Sequence, residues 1–240
     1  NTTIDDPGYW DTPNHTHRYH DWLRSGHGKV NLRKAIAISC DTYFYGLAEK
    51  MGAYNLFHAM QNFSLGIKTG VELPGEKQGL IPSPAWKKQN GQRWYLGDSI
   101  NTGIGQGSTA VTPLQLAQAT LLLANHGHGK QLHLLKAWQD DAWQENSPSD
   151  HPPIVHSKAH WQVIDQALID VIRIGTGHRF KKNKHRVAGK TGTAQVVSVA
   201  NQDEKNLKSQ DHSLFIGYAP YDDPKIAIVV VLEHNPLAVQ

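Results

Sequence analysis

The run Val187-Ala-Gly-Lys-Thr-Gly-Thr-Ala-Gln195 sets an ammonium and a hydroxyl between glycines, with a second hydroxyl just after, a set of groups suited to binding an anion. Gly189-Lys190-Thr191 could be the tail of a phosphate-binding P-loop, whose backbone N–H groups cradle phosphate at the start of a helix. That motif needs a glycine at position 184, where Lys184 stands. A P-loop also opens a helix, whereas Thr193-Ala-Gln-Val-Val-Ser-Val199 is β-branched and reads as a strand. What remains is Lys-Thr-Gly carried on a strand. Taken alone, Lys190 is equally a surface lysine.

A second concentration of reactive groups is Ser39-Cys40-Asp41. Asn31 is placed to cap a helix over Leu32–Ile38, and Asp41 to cap another over Thr42–Met51, closed by Gly52. A third helix is expected over Tyr54–Phe63. Ser39 and Asp41 then sit in a tight joint between helices, either as plain caps or held rigidly toward a cleft. Cys40 is the sole cysteine, which excludes an internal disulfide. Upstream stand Asp5, Asp6, Asp11, His15, His17, His20, Asp21 and His27. A thiolate, an imidazole and carboxylates suit a closed tetrahedral Zn²⁺ site. The alternative is a buried free thiol with solvent-facing histidines.

The elements that must position these groups follow from pattern. Residues 1–30 are loop-like. Glycine and proline punctuate Gly66 to Gly107, which predicts loops, short strands and one short helix after Ser83-Pro84. Gly103-Ile-Gly-Gln-Gly107 lacks dinucleotide-binding spacing. Thr112-Pro113 starts a largely apolar, buried helix over 114–124. Residues 128–157 read as a surface hairpin or insertion. Ser157 to Ile174 forms an amphipathic helix with Trp161, Ile164, Leu168, Val171 and Ile172 on one face. After the Lys-Thr-Gly strand comes a polar excursion at 200–212. Strands over Leu214–Ala219 and Ile226–Leu232 then flank a Pro220–Pro224 turn. Both are apolar on both faces, which predicts a sheet covered on both sides.

The chain has 240 residues, 39% of them apolar, and a formal net charge of +3. That is one full core, and no basic stripe points to nucleic acid. His178–Arg186 is the nearest to a basic run and reads as a solvated connection.

With Ser39-x-Asp41, the Thr-Pro-Leu-Gln-Leu-Ala helix at 112–117 and Lys190-Thr-Gly-Thr193 in order, the chain resembles the transpeptidase domain of class B penicillin-binding proteins, of the elongation type. Asp6-Pro-Gly-Tyr-Trp10, Tyr19-His-Asp-Trp22, Gly26-His-Gly28, Ser39-Cys-Asp-Thr-Tyr-Phe-Tyr45 and Gly103–Gly107 carry the same likeness, over nearly the whole chain. The resemblance implies an α+β fold like that of β-lactamases and transpeptidases, an antiparallel sheet flanked by helices, with 1–240 a partial transpeptidase domain. It implies serine acyl transfer that cross-links peptidoglycan stem peptides, inhibition by β-lactams, and no catalytic cofactor. Ser39 would relay a proton, and Asp41 would orient the active-site lysine or the substrate amide. Lys190 would keep that network poised and attract the substrate carboxylate. Thr191, Gly192 and Thr193 would hold the carboxylate, and the Thr193 N–H would enter the oxyanion hole. Position by position, it also selects Asp6, Asp21, His27 and Cys40 as structural zinc ligands.

One departure is large: the chain contains no Ser-x-x-Lys window, the family's nucleophile motif. The expectation is a domain truncated at both ends, without its nucleophile, two early strands or last helix, and inactive by itself. The resemblance further implies the periplasmic face of a Gram-negative inner membrane, with the anchor outside this chain. The partners it implies are a lipid-linked glycan polymerase and elongation-complex proteins. A serine β-lactamase, a β-lactam sensor domain and a non-catalytic scaffold are the competing readings.

Overall fold

The computed structural model describes residues 2–12, 17–182, 184–196 and 210–235. Two small antiparallel ribbons open the chain. β1 (Thr3–Asp6) pairs with β4 (Gly28–Asn31), setting Asp6 opposite Gly28, and β2 (Tyr9–Asp11) pairs with β3 (Arg18–His20). Gly8 and Gly26, both at positive φ, lie where a Cβ would strike backbone, so the loop between the ribbons closes tightly.

Asn31 caps α1 (Leu32–Ile38) by accepting from the Lys34 N–H at 3.0 Å. Ser39 ends that helix in the left-handed region, with φ 55° and ψ 49°. α2 (Asp41–Asn62) follows at once, with its helical run broken at Gly52. Its N-cap is Cys40, so Asp41 lies one residue inside the helix instead of capping it. Asp21 does the capping, accepting from the Thr42 N–H at 3.1 Å.

The middle of the chain adds three helices where two were expected. Ser83 caps α3 (Pro84–Gln89), and α5 (Pro113–Ala124) starts with a reciprocal Thr112–Gln115 capping box. Between them lies α4 (Leu96–Gly103), which runs through the supposed loop and packs on α2. α5 is buried yet carries glutamines: the Gln115 Nε2 donates to Ile67 O (2.8 Å) and Gln78 O (2.7 Å), pinning the preceding loop. β5 (Ala137–Gln139) and β6 (Trp143–Glu145) form the expected exposed hairpin.

α6 (Lys158–Arg173) begins at Ser157 and buries Trp161, Leu168, Val171 and Ile172. β7 (Ala188–Ala194), β8 (His212–Ala219) and β9 (Ile226–Leu232) form one antiparallel sheet in the order β7-β8-β9. The expected strand over 193–199 thus starts earlier, and residues 197–209, including most of the polar excursion, lie outside the described residues. α6 packs on β7 and α5 on β9, so one sheet face is covered. Ala124, Leu168, Ile169, Ala188 and Tyr218 form the core there. The other face departs from expectation: Ile226, Ile228, Val230 and Leu232 are all exposed. Burial of each large core side chain is worth about 1.5–3 kcal/mol, so α5 and α6 fix where β7 stands.

Candidate active site and metal cluster

Lys190 sits on β7, opposite Ile216 of β8, and Ser39 sits at the α1–α2 joint. Their side chains meet: the Lys190 ammonium donates to the Ser39 hydroxyl, and also to Thr191 O at 2.7 Å. The contact needs α6, which packs on both α1 and β7 and so sets the joint beside the sheet. Gly175, just after α6, touches the Ala37 carbonyl so closely that a Cβ would collide with it.

Asp41 follows two residues after Ser39, feels the Lys190 charge and accepts from the Trp22 N–H at 3.2 Å. Burial and then the neighbouring Asp21 charge push its carboxyl up to about 6. Burial pulls the Lys190 ammonium down to about 8, against the opposing pull of Asp41. A lysine held near neutrality against a serine hydroxyl is an arrangement able to exchange protons. A cavity of about 950 Å³ opens over them, lined by Trp22, Ser39, Thr176, Thr191, Gly192 and Thr193.

The structure therefore brings Ser39, Thr191, Gly192 and Thr193 onto one cavity, with Lys190 bonded to Ser39 and Asp41 near enough to act on the Lys190 charge. Sequence reasoning missed three neighbours. Thr176 hydrogen-bonds Thr191, Oγ1 to Oγ1, at 2.6 Å. Gln106 reaches β7 with its side-chain amide. Trp22 spans the joint, its Nε1 donating to Ile38 O at 3.2 Å. Only the glycines around Thr176 and Gln106 hinted at close approach.

Asp6, Asp21, His27 and Cys40 also converge, with one ligand atom of each inside 4.8 Å of all the others. The His27 Nδ1 is 2.7 Å from the Asp6 Oδ2 and 3.6 Å from the Asp21 Oδ1, and the Cys40 Sγ is 3.4 Å from the same Asp6 oxygen. Backbone N–H groups of Gly8, His27, Leu23 and Thr42 orient the two carboxylates, as an outer shell orients metal ligands. Burial opposes ionisation of Asp6, but the hydrogen bonds from Gly8 and His27 hold its carboxyl below the usual range. Burial and the two carboxylates push the Cys40 thiol up, an environment that a divalent cation would reverse. The His27 Nε2 is buried without a partner. Two buried carboxylates, a thiol and an imidazole, with no lysine or arginine paired to them among the described residues, fit Zn²⁺. Of the other upstream donors, Asp11 pairs with Arg18 at 2.7 Å, Asp5 and His20 are exposed on their strands, and His15 lies outside the described residues.

Comparison with known proteins identifies the family. The family model for the penicillin-binding protein transpeptidase domain matches residues 1–239. The peptidoglycan D,D-transpeptidase MrdA of Acinetobacter baumannii is 43% identical over 242 residues, covering 98% of this chain and 36% of the relative. The chain thus spans little more than a third of that protein's length. The crystal structure of Pseudomonas aeruginosa PBP2 is 39% identical with a TM-score of 0.85, over 98% of this chain and 51% of that one. PBP2 from Helicobacter pylori, solved in a complex with MreC, is 32% identical with a TM-score of 0.82, over 98% of this chain and 41% of that one. With a family match along nearly its whole length and the Lys-Thr-Gly strand set against a Ser-x-Asp joint, the chain belongs to the penicillin-binding protein transpeptidase domain family.

Proposed function

We propose that this chain is the larger part of a peptidoglycan D,D-transpeptidase domain working in cell elongation. The hydrogen bond from Lys190 to Ser39, which lines the cavity, carries the reading. A serine hydroxyl outside these residues attacks the D-Ala-D-Ala carbonyl of a stem peptide, and the C–N bond to the terminal D-Ala breaks. The serine's proton passes through Ser39 to the departing amine. The amine of a second stem then attacks the ester, releasing the serine. Lys190 keeps the Ser39 proton mobile and draws in the substrate carboxylate, which the Thr191 and Thr193 hydroxyls grip beside Gly192. The Thr193 N–H steadies the oxyanion. Asp41 orients the site's lysines through its charge.

The cluster of Asp6, Asp21, His27 and Cys40 would hold a structural zinc, pinning the end of β1 and the β3–β4 loop to the α1–α2 joint. Four protein donors leave no open position for water, so the ion takes no part in acyl transfer. No described helix is long and apolar enough to cross a membrane. The periplasmic face of a Gram-negative inner membrane, and partners such as the MreC bound by the Helicobacter relative, follow from kinship.

Labelled penicillin tests the reading on the full-length protein. A long-lived acyl-enzyme is expected. Rapid turnover of the label points to a β-lactamase, and no labelling to a scaffold; either would overturn it.

A further inference from the structure

Gln106 stands between Gly105 and Gly107, both at φ 75°, in the loop that leaves α4. Its side-chain Nε2 donates to the Thr193 C=O at 2.9 Å, and its Oε1 accepts from the Gln195 N–H at 3.3 Å. Among the described residues β7 pairs only with β8, so these two backbone groups belong to its outer edge. In a parallel ladder, the C=O of one residue and the N–H two residues on are both met by a single residue of the neighbouring strand. The primary amide of Gln106 imitates that one residue. The Thr191 C=O on the same edge accepts from Lys190, and the cavity opens along Thr191, Gly192 and Thr193. Gln106 therefore closes the edge where the open part of the ledge ends. An uncovered edge of this kind is the template on which an extended peptide adds as a strand.

We propose that Gln106 is a specificity-determining latch, which yields the Thr193 C=O to a ligand's own backbone N–H and stays in place against a ligand that lacks one. The inference rests on the transpeptidase reading and deepens it. An acyl-donor peptide brings such an N–H and exchanges one neutral hydrogen bond for another. A ligand without it must leave the latch shut or take away the carbonyl's donor and give none in return. Gln106 thus competes with the peptide in the free enzyme and shields the edge when no peptide is bound.

The test uses the full-length protein with Gln106→Met, which matches the length but has no amide, and Gln106→Glu, which keeps the acceptor for Gln195 and loses the donor to Thr193. Acylation rate constants are measured for a penam with a secondary 6-acylamide and for the penam nucleus without it. Both variants should raise the ratio of the two constants by about 2–10-fold, the worth of one competing hydrogen bond. A structural role alone would change both constants together. A ratio that is unchanged or lower overturns the latch. Absence of acylation in the parent protein overturns the transpeptidase reading and the latch with it, whereas acylation with a flat ratio overturns only the latch.

Discussion

Ser39 and Lys190, 151 positions apart, are joined side chain to side chain by a hydrogen bond that links the end of α1 to the middle of β7. The relationship is asymmetric in what it demands of each residue. Ser39 needs a left-handed backbone, with φ 55°, as well as a hydroxyl. Lys190 needs only its length and its charge. Ser39→Gly therefore removes the hydroxyl while suiting the backbone better. It should slow acylation of the full-length protein by about 10²–10⁴-fold, the usual loss for a proton-transfer group. Its melting temperature should stay within a few degrees of the parent's. Unchanged acylation would leave Ser39 a helix terminator and nothing more.

Lys190 gives a pH dependence with a definite sign. Its folded-state value of about 8 lies below the ordinary 10.5. Below pH 8 the fold carries a buried ammonium at a cost, and that cost is relieved as pH rises from 8 toward 10.5. Lys190→Met has no proton to lose there. Denaturant unfolding at pH 7.5, 9 and 10 should show the parent gaining stability relative to the variant at each step. A constant difference would mean that Lys190 titrates like a surface lysine. The affinity for carboxylate ligands should fall over the same range as the cation is lost.

The acidic cluster predicts about one zinc per chain in protein purified without chelator. Cys40→Ser and Asp21→Asn should each release the ion, as read by elemental analysis. Leaving buried carboxylate uncompensated, Asp6 in Asp21→Asn and both Asp6 and Asp21 in Cys40→Ser, costs about 3–5 kcal/mol. At about 2–4 °C per kcal/mol for a domain of this size, the melting temperature should fall by roughly 6–20 °C. Metal-free protein with an unchanged melting temperature in both variants would make Cys40 a packed thiol.

The sequence was most legible where one residue type solves a local problem. Asn31 and Thr112 cap the helices assigned to them, and Ser83 and Ser157 cap the helices expected to start beside them, because each short side chain reaches an orphan N–H three residues on. Asp41 looked like a cap for the same reason. It lost that place to Asp21, a partner 21 positions away that no local rule can find. α4 was illegible because Gly97, Asp98, Asn101 and Gly103 are weak helix formers, and packing on α2 overrides propensity there. The apolar runs of β8 and β9 correctly gave strands, but cover on both faces did not follow from composition. In the site, resemblance supplied Ser39, Asp41 and Lys190. Thr176 and Gln106 act through contacts across 15 and 87 positions, and nothing in their own neighbourhoods specifies a partner.

Gly103 links that missed helix to the edge of β7. It faces α2 so closely that a Cβ would overlap the Ala48 Cβ. Gly103→Ala gains about 0.5–1 kcal/mol of helix propensity but overpacks the contact by about 1–3 kcal/mol, so a net loss of stability is expected. Ala48→Gly makes room for the new methyl. The double variant should recover most of the loss, giving a coupling of at least about 1 kcal/mol in a double-mutant cycle. Because α4 runs directly into the loop that carries Gln106, Gly103→Ala should also move the acylation ratio in the direction of Gln106→Met, and Ala48→Gly should restore it. Additive stabilities together with an unmoved ratio would show that α4 packs on α2 without governing the edge of β7.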